Sequence, residues 1–178
     1  MSFRKSVSVL VTVAALALTA APSFAAAGYY GLGYFRPEAP VGGRIWFTDK
    51  VAADVGVGFN ITSPDGGDSQ TGFIVDAGLP FVVHESGAAK FFIRPGISYV
   101  SSPSPVVADP DNKTTQFWVS GSFGVEYFFT DRFSVQAAHG VVFKSVDPDQ
   151  AGGKYSEFVS EDFGLSNIGF HYYFGGKQ

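Results

Sequence analysis

The sequence contains no cysteine, so neither a disulfide framework nor a thiolate metal site can hold the fold together. Positive charge is also scarce. Of the 12 Lys and Arg residues, Arg4 and Lys5 belong to the N-terminal segment, which leaves 10 basic residues against 16 acidic ones and argues against nucleic acid as a partner. After residue 26, no segment approaches the ~20 consecutive apolar residues that a transmembrane helix requires.

The first 26 residues have the three parts of a secretory signal peptide. Arg4 and Lys5 form a basic start, the run VSVLVTVAALALTA is short and apolar, and the small residues around Ala25 suit cleavage. We therefore predict a cleavable signal peptide over residues 1–26, export of the protein, and a single mature domain over residues 27–178.

Aromatic residues and glycine are abundant, with 19 Phe, 8 Tyr and 22 Gly. In FWVSGSFGVEYFF, apolar side chains alternate with small or polar ones, and KVAADVGVGFNI and NIGFHYYF follow the same rule. Successive residues of a strand point to opposite faces of a sheet, so each segment predicts a strand with one apolar face and one small or polar face. The expected fold class is all-β.

Eight segments read as strands and predict an antiparallel up-and-down barrel. They are 28–36, 41–47, 51–61, 72–83, 90–100, 117–129, 133–143 and 163–174. From the second connection onward, short turns alternate with long polar loops, as in barrels that cross a membrane. The small, glycine-rich face is also unsuited to be a solvated exterior. We therefore predict a transmembrane β-barrel whose bulky apolar residues meet lipid.

The sequence FTDK at 47–50 recurs as FTDR at 129–132. Thr and Asp favour tight turns because their side chains bond nearby backbone groups, so we predict the same hairpin twice. The predicted cross-strand pairs are Phe47 with Val51, Arg44 with Asp54, Phe129 with Phe133, and Glu126 with Gln136. The second pair is expected to be an ion pair and the last a hydrogen-bonded pair.

Charged and polar side chains also fall on the predicted interior face. They are Arg44, Asp54, Asp76, Arg94, Glu126, Gln136 and His171. A lone charge there would cost several kcal/mol unless it is paired or hydrated. We expect a salt-bridged network that plugs the lumen, because eight strands leave an interior just wide enough for side chains. The open alternative is that these residues line a pore or bind a solute.

These patterns resemble the small eight-stranded outer-membrane β-barrels of the OmpX and OmpA transmembrane-domain type. The resemblance covers about residues 28–174 and rests on the aromatic-Thr-Asp-basic hairpins and the final strand NIGFHYYF. It implies an outer-membrane location with periplasmic termini, contact with outer-membrane lipid and lipopolysaccharide, and a monomer. It also implies that the outer-membrane assembly machinery recognises the last strand through Ile168, Phe170, Tyr172 and Phe174. Unlike the family, which ends on an aromatic residue, this chain continues with GGKQ.

Some barrels of this size act on the acyl chains of lipid A, which calls for a histidine beside a serine and an acid. His139 is predicted to face outward unless a bulge at Gly140 turns it inward. The His-x-Ser pattern of the deacylases would need serine where Val141 stands. Since His84 lies at a predicted turn and His171 has no serine beside it on its face, we predict no catalytic site.

Three predicted loops carry acidic clusters, SPDGGDS, ADPDNKT and SVDPDQAGG. Oxygen ligands at close spacing suit Ca²⁺ or Mg²⁺, but none of the clusters has the spacing of a known calcium loop. Ordinary solvated turns contain the same residues. We therefore predict no metal site and no cofactor.

The sequence thus predicts a non-catalytic integral outer-membrane barrel that acts in envelope structure or in surface interactions through its long loops. Two other classes stay open: a narrow channel for small solutes, and a soluble, lipocalin-like secreted barrel that binds an apolar ligand. A lipid A-modifying enzyme is a further alternative.

Overall fold

The computed structural model describes residues 29–63, 69–103, 113–148, 153–160 and 167–175, and these ranges contain ten β-strands and no helix. The strands are β1 Tyr30–Tyr34, β2 Val41–Trp46, β3 Ala52–Thr62, β4 Gln70–Gly78, β5 Phe81–Ser86, β6 Ala89–Pro103, β7 Lys113–Thr130, β8 Phe133–Pro148, β9 Tyr155–Ser160 and β10 Asn167–Phe174. The predicted signal peptide and parts of all three acidic loops lie outside the described residues. Within the described ranges, no helix is long and apolar enough to cross a membrane.

Eight of the strands form a closed antiparallel barrel. β1, β2, β3, β4, β6, β7, β8 and β10 pair in this order, and β10 returns to pair with β1. The predicted eight-stranded antiparallel up-and-down barrel is therefore confirmed. The hairpin turns at 47–51, 87–88 and 131–132 lie at one end, which we call the short-turn rim, together with the start of β1 and the end of β10. The opposite end is the loop end.

The predicted fourth strand, 72–83, is broken into β4 and β5. The break falls at Leu79 and Pro80, where proline has no N–H to continue the ladder. β5 then forms a hairpin with the start of β6, closed by Gly87 at a φ of 57° and Ala88. The predicted six-residue connection over 84–89 is therefore wrong, because β5 continues to Ser86 and only two residues form the turn.

The barrel wall continues beyond the predicted strands at the loop end. β6, β7 and β8 are 15, 18 and 16 residues long, and β9 pairs with the upper half of β8, in a stretch that the sequence assigned to a loop. The prediction ended these strands where the outward residues become polar, as at Thr115 and Ser145. Backbone pairing does not end there. We call the continuation of β6 to β9 the upper sheet.

The wall is shortest at β1 and β2, which have 5 and 6 residues, and their connection, residues 35–40, lies inside the barrel. Phe35, Arg36 and Ala39 are buried. Gly58 of β3 makes room for this segment, because a Cβ atom there would overlap the Glu38 carbonyl oxygen. We call residues 35–40 the inward segment.

The two faces of the wall carry opposite chemistry. Side chains that point inward include the fully buried Arg44, Asp54 and Glu126, whereas outward side chains such as Phe59 and Phe123 are 78% and 65% exposed. The buried centre of the molecule is therefore largely ionic, and much of its apolar surface lies outside.

Candidate functional site

The repeated Thr-Asp turn fixes the pairing of two hairpins by the same hydrogen bonds. Thr48 Oγ1 accepts from the backbone N–H groups two and three residues further on, at 3.1 and 3.0 Å. Thr130 Oγ1 accepts from the equivalent groups at 3.2 and 3.0 Å. Both turns thus use the threonine hydroxyl to satisfy backbone donors that the ladder leaves unpaired.

The first hairpin has the predicted register. Trp46 pairs with Ala52 and Arg44 pairs with Asp54, and Arg44 Nη2 donates to Asp54 Oδ2 at 2.7 Å. Both side chains are fully buried. The expected interior ion pair is present.

The second hairpin keeps the predicted pairing of Glu126 with Gln136 but differs at its turn. Thr130, and not Phe129, is opposite Phe133, because one extra residue interrupts the ladder between Phe128 and Thr130. The rings of Phe129 and Phe133 are still neighbours, 6.1 Å apart. The expected Glu126–Gln136 hydrogen bond is replaced, since the Glu126 carboxylate takes other donors and Gln136 Oε1 has no hydrogen-bond partner in the described part of the chain.

Two arginines link three carboxylates inside the barrel. Arg44 joins Asp54 to Glu126, whose Oε2 lies 2.9 Å from Arg44 Nη1. Arg94 joins Asp54, at 2.6 Å, to Asp76. All five side chains are buried, and each charge has at least one opposite charge within bonding distance. Breaking one such pair leaves an uncompensated charge in a site of low dielectric.

Glu126 accepts hydrogen bonds from three different side chains. Besides Arg44, it accepts from Ser134 Oγ at 2.6 Å and from Tyr173 Oη at 2.8 Å, and His171 Nδ1 lies 3.3 Å away. Charge-assisted hydrogen bonds of this kind hold a carboxylate in one position. The four side chains around Glu126 come from β2, β8 and β10, so the cluster links both sides of the barrel closure.

The inward segment adds groups to the network that the sequence did not predict. Arg36 pairs with Asp76 at 3.5 Å and with Glu38 at 3.0 Å. The Phe35 ring lies edge-on to His171, with centroids 4.6 Å apart, and 5.6 Å from the Arg44 guanidinium. The lumen is thus filled by a piece of backbone as well as by strand side chains. Glycines on the inner face leave room for this segment, but the sequence alone does not show which part of the chain fills that room.

Ser134, Glu126 and His171 are the residue types of a hydrolase triad but have the wrong connectivity. In a triad, histidine lies between the acid and the serine and removes the serine proton. Here Glu126 lies between the other two, and His171 Nδ1 and Nε2 have no hydrogen-bond partner among the residues that the structure describes. Ser134 thus donates to a carboxylate that is already paired with Arg44, and the histidine–serine contact of a triad is not made.

The other two histidines lie on the outside of the barrel wall. His139 faces outward on β8 beside Phe123, as predicted, and no bulge turns it inward. His84 is on β5 and not in a turn, with its ring next to Phe91. In the described ranges, no group of three His, Cys, Asp or Glu residues is placed to hold a metal.

A separate pocket opens at the short-turn rim. Its volume is about 260 Å³, and Tyr29, Trp46, Phe128 and Tyr173 form its aromatic walls. Lys90 lies in it, with Nζ 4.7 Å from the Trp46 ring centroid and 5.7 Å from that of Phe128. We call this cavity the rim pocket. Trp46 and Phe128 lie two residues after Arg44 and Glu126 on the same strands, and the sequence analysis gave no indication of a cavity there.

Residues 82 positions apart face each other across the barrel. Arg44 pairs with Glu126, and Trp46 and Phe128 lie on either side of Lys90. β2 and β7 are four places apart in the eight-stranded order, which is half of the circumference. The two Thr-Asp hairpins are therefore related by an approximate half-turn about the barrel axis.

The four side chains expected to form the assembly signal point outward from β10. Ile168, Phe170, Tyr172 and Phe174 are 39% to 61% exposed.

Comparison with protein-family models, with curated proteins and with solved structures gave no significant match to this chain. The resemblance to the OmpX and OmpA type, and the recognition of β10 that it implies, stay predictions.

Proposed function

We propose that this chain is an integral outer-membrane β-barrel without catalytic activity, whose lumen is closed and whose role lies in envelope structure or in surface interactions. The observation that carries the proposal is the inverted distribution of residues. Among the described residues, 29 large apolar side chains are exposed, against 12 buried hydrophobic residues. A monomeric soluble protein rarely exposes a continuous apolar surface of this kind.

The outward aromatic residues lie mainly in two bands, which supports a membrane location. The band near the short-turn rim contains Tyr30, Phe47, Tyr127, Phe129, Phe133, Tyr172 and Phe174. The band near the loop end contains Phe59, Phe73, Tyr99, Phe117, Phe143 and Phe158. Aliphatic residues such as Val57 and Ile97 lie between them. Transmembrane barrels have the same order, with aromatic girdles at the two interfaces of an apolar zone.

The ionic interior supports a closed barrel over the channel and lipocalin alternatives. A lipocalin needs an apolar cavity, but the centre here contains the Arg44, Asp54 and Arg94 network. A channel needs a continuous aqueous path, and the inward segment fills the space beside that network. The complete burial of Ser134, whose hydroxyl donates to a Glu126 carboxylate already paired with Arg44, supports the non-catalytic assignment.

The upper sheet supports an interaction role at the loop end. β6 to β9 extend the wall there with polar outward residues such as Thr115, Ser145 and Ser156.

The proposed partners of the barrel are outer-membrane lipid and lipopolysaccharide, which surround the wall, and the assembly machinery, which contacts β10. The proposed protein is a monomer with periplasmic termini.

Membrane fractionation tests the proposal directly. We expect the protein to stay in the outer-membrane fraction after a carbonate or urea wash and to require detergent for extraction, because its exposed surface is apolar. Recovery in the soluble periplasmic fraction would contradict the membrane location and favour the lipocalin alternative.

Planar-bilayer recordings distinguish the closed barrel from the channel. We expect no stable conductance from the purified protein, because paired side chains and the inward segment fill its lumen. Sustained, ion-selective openings would contradict the closed lumen while leaving the membrane location intact.

A further inference from the structure

The rim pocket has the composition of a cation-binding cage. Its walls are aromatic, and the electron-rich face of an aromatic ring attracts an ammonium group within about 6 Å of the ring centroid. Lys90 shows that this attraction operates here, since its Nζ lies 4.7 Å from Trp46 and 5.7 Å from Phe128. The cage therefore already holds one ammonium, supplied by the chain itself.

Two aspartates line the same cavity. Asp49 and Asp131 are the equivalent acids of the two Thr-Asp turns, and the approximate half-turn brings both to the rim pocket. Neither is in an ion pair with another described side chain, and Lys90 Nζ donates to the Asp49 carbonyl oxygen at 3.0 Å and not to its carboxylate. The nearest acid of Lys90 is Glu85, at 3.6 Å. The rim pocket thus contains more negative than positive charge.

We propose that the rim pocket binds a small organic cation, of the primary or quaternary ammonium class, which displaces the Lys90 ammonium from between Trp46 and Phe128. The cation contacts the aromatic rings, and the carboxylates of Asp49 and Asp131 attract it to the short-turn rim. The volume of about 260 Å³ suits a ligand smaller than a typical drug molecule. Lys90 acts as the resident occupant that keeps the cage filled when no ligand is bound.

Tryptophan fluorescence provides the test, because the chain has 2 Trp residues and only Trp46 is in the rim pocket. In a Trp118→Phe background, Trp46 is the only reporter. Choline is the probe, and its neutral carbon isostere, 3,3-dimethylbutanol, is the control for apolar binding. Sodium chloride at matched ionic strength controls for screening. The detergent is a non-ionic maltoside, because phosphocholine detergents carry the headgroup of the probe.

Saturable quenching by choline, but not by 3,3-dimethylbutanol or sodium chloride, is the expected result. Lys90→Ala empties the cage and is expected to tighten choline binding about tenfold, the order of one desolvated cation–π contact. Asp131→Asn, at an exposed turn where misfolding is not expected, is expected to weaken it several-fold. Glu157→Gln, an acid on β9, is the matched control and is expected to leave binding unchanged.

Two results would overturn the proposal. The first is the absence of saturable quenching in both the Trp118→Phe protein and its Lys90→Ala variant. The second is equal binding of choline and 3,3-dimethylbutanol, which would make the rim pocket an apolar cavity without selectivity for charge.

Discussion

At the scale of single residues, the alternation of the strands predicts which side chains enter the lumen but not which of them bond to one another. Arg44 and Asp54 were paired correctly because they are in one hairpin, where the turn sets the register. The bond from Arg44 to Glu126 spans the barrel and depends on closure of the whole sheet. Sequence reasoning therefore found the strand residues of the network and the pair within one hairpin, but it missed the bond across the lumen and the contribution of Arg36.

A double-mutant cycle on Arg44 and Glu126 tests the strength of the bond across the lumen. Arg44→Met and Glu126→Gln should each lower the free energy of unfolding by about 3–5 kcal/mol, because each leaves a buried partner unpaired. The double variant should lose less than the sum of the two. Urea unfolding in detergent micelles measures all four proteins.

The half-exposed pair Lys144–Glu157, at 3.5 Å, is the control. Lys144→Met and Glu157→Gln should each change stability by less than about 1 kcal/mol, with little coupling, because solvent screens the pair. Strict additivity at Arg44 and Glu126 would mean that the interior ion pair does not form.

At the scale of elements, local chemistry predicts the turns well and the inward segment not at all. The Thr48 and Thr130 hydroxyls act within three residues, so the sequence contains all the information for these turns. The prediction placed Phe35 and Arg36 in the first strand and only residues 37–40 in a loop, whereas β1 ends at Tyr34 and residues 35–40 turn inward. This segment is buried only because glycines of β2 and β3, brought beside it by the closed barrel, leave room for backbone. A packing relation of that kind is absent from any single stretch of sequence.

Substitution of Gly58 tests whether the inward segment depends on this space. Gly58→Ala should destabilise the protein by about 1–3 kcal/mol, because the new methyl group meets the Glu38 carbonyl oxygen and the backbone must move. Thermal unfolding in micelles measures the change. Gly121→Ala is the control, since no atom lies within 4 Å of a Cβ at that position, and it should change stability by less than about 0.5 kcal/mol. Equal effects of the two substitutions would show that the segment is not held against β3.

At the scale of the whole molecule, the eight-stranded closure was predictable because every strand carries the same two-faced pattern. The broken fourth strand and the upper sheet were not, since both depend on where backbone pairing stops and not on which side chains are apolar. The apolar pattern locates the zone of the wall whose outward side chains are apolar. It does not locate the ends of strands.

The outward face is tested by placing arginine at two heights on the wall. Val57, 45% exposed at the middle of β3, is in the aliphatic zone, whereas Ser145 on β8 pairs with Phe117 at the level of the loop-end aromatic band. In lipid, Val57→Arg should cost about 2–4 kcal/mol and Ser145→Arg about 0–1 kcal/mol. Refolding yield and urea unfolding in lipid bilayers report the difference. Equal tolerance of both substitutions would indicate that the wall faces water.

The half-turn between the two Thr-Asp hairpins limits the charges that a symmetric assembly could place at the same point. A contact on a two-fold axis joins a position to its own copy. A homodimer of two identical four-stranded subunits would therefore place arginine against arginine, or glutamate against glutamate, where Arg44 meets Glu126. In a single chain the two positions are separate residues, so opposite charges can meet there. The Arg44–Glu126 ion pair is thus an arrangement that one chain of eight strands can form and a symmetric homodimer cannot.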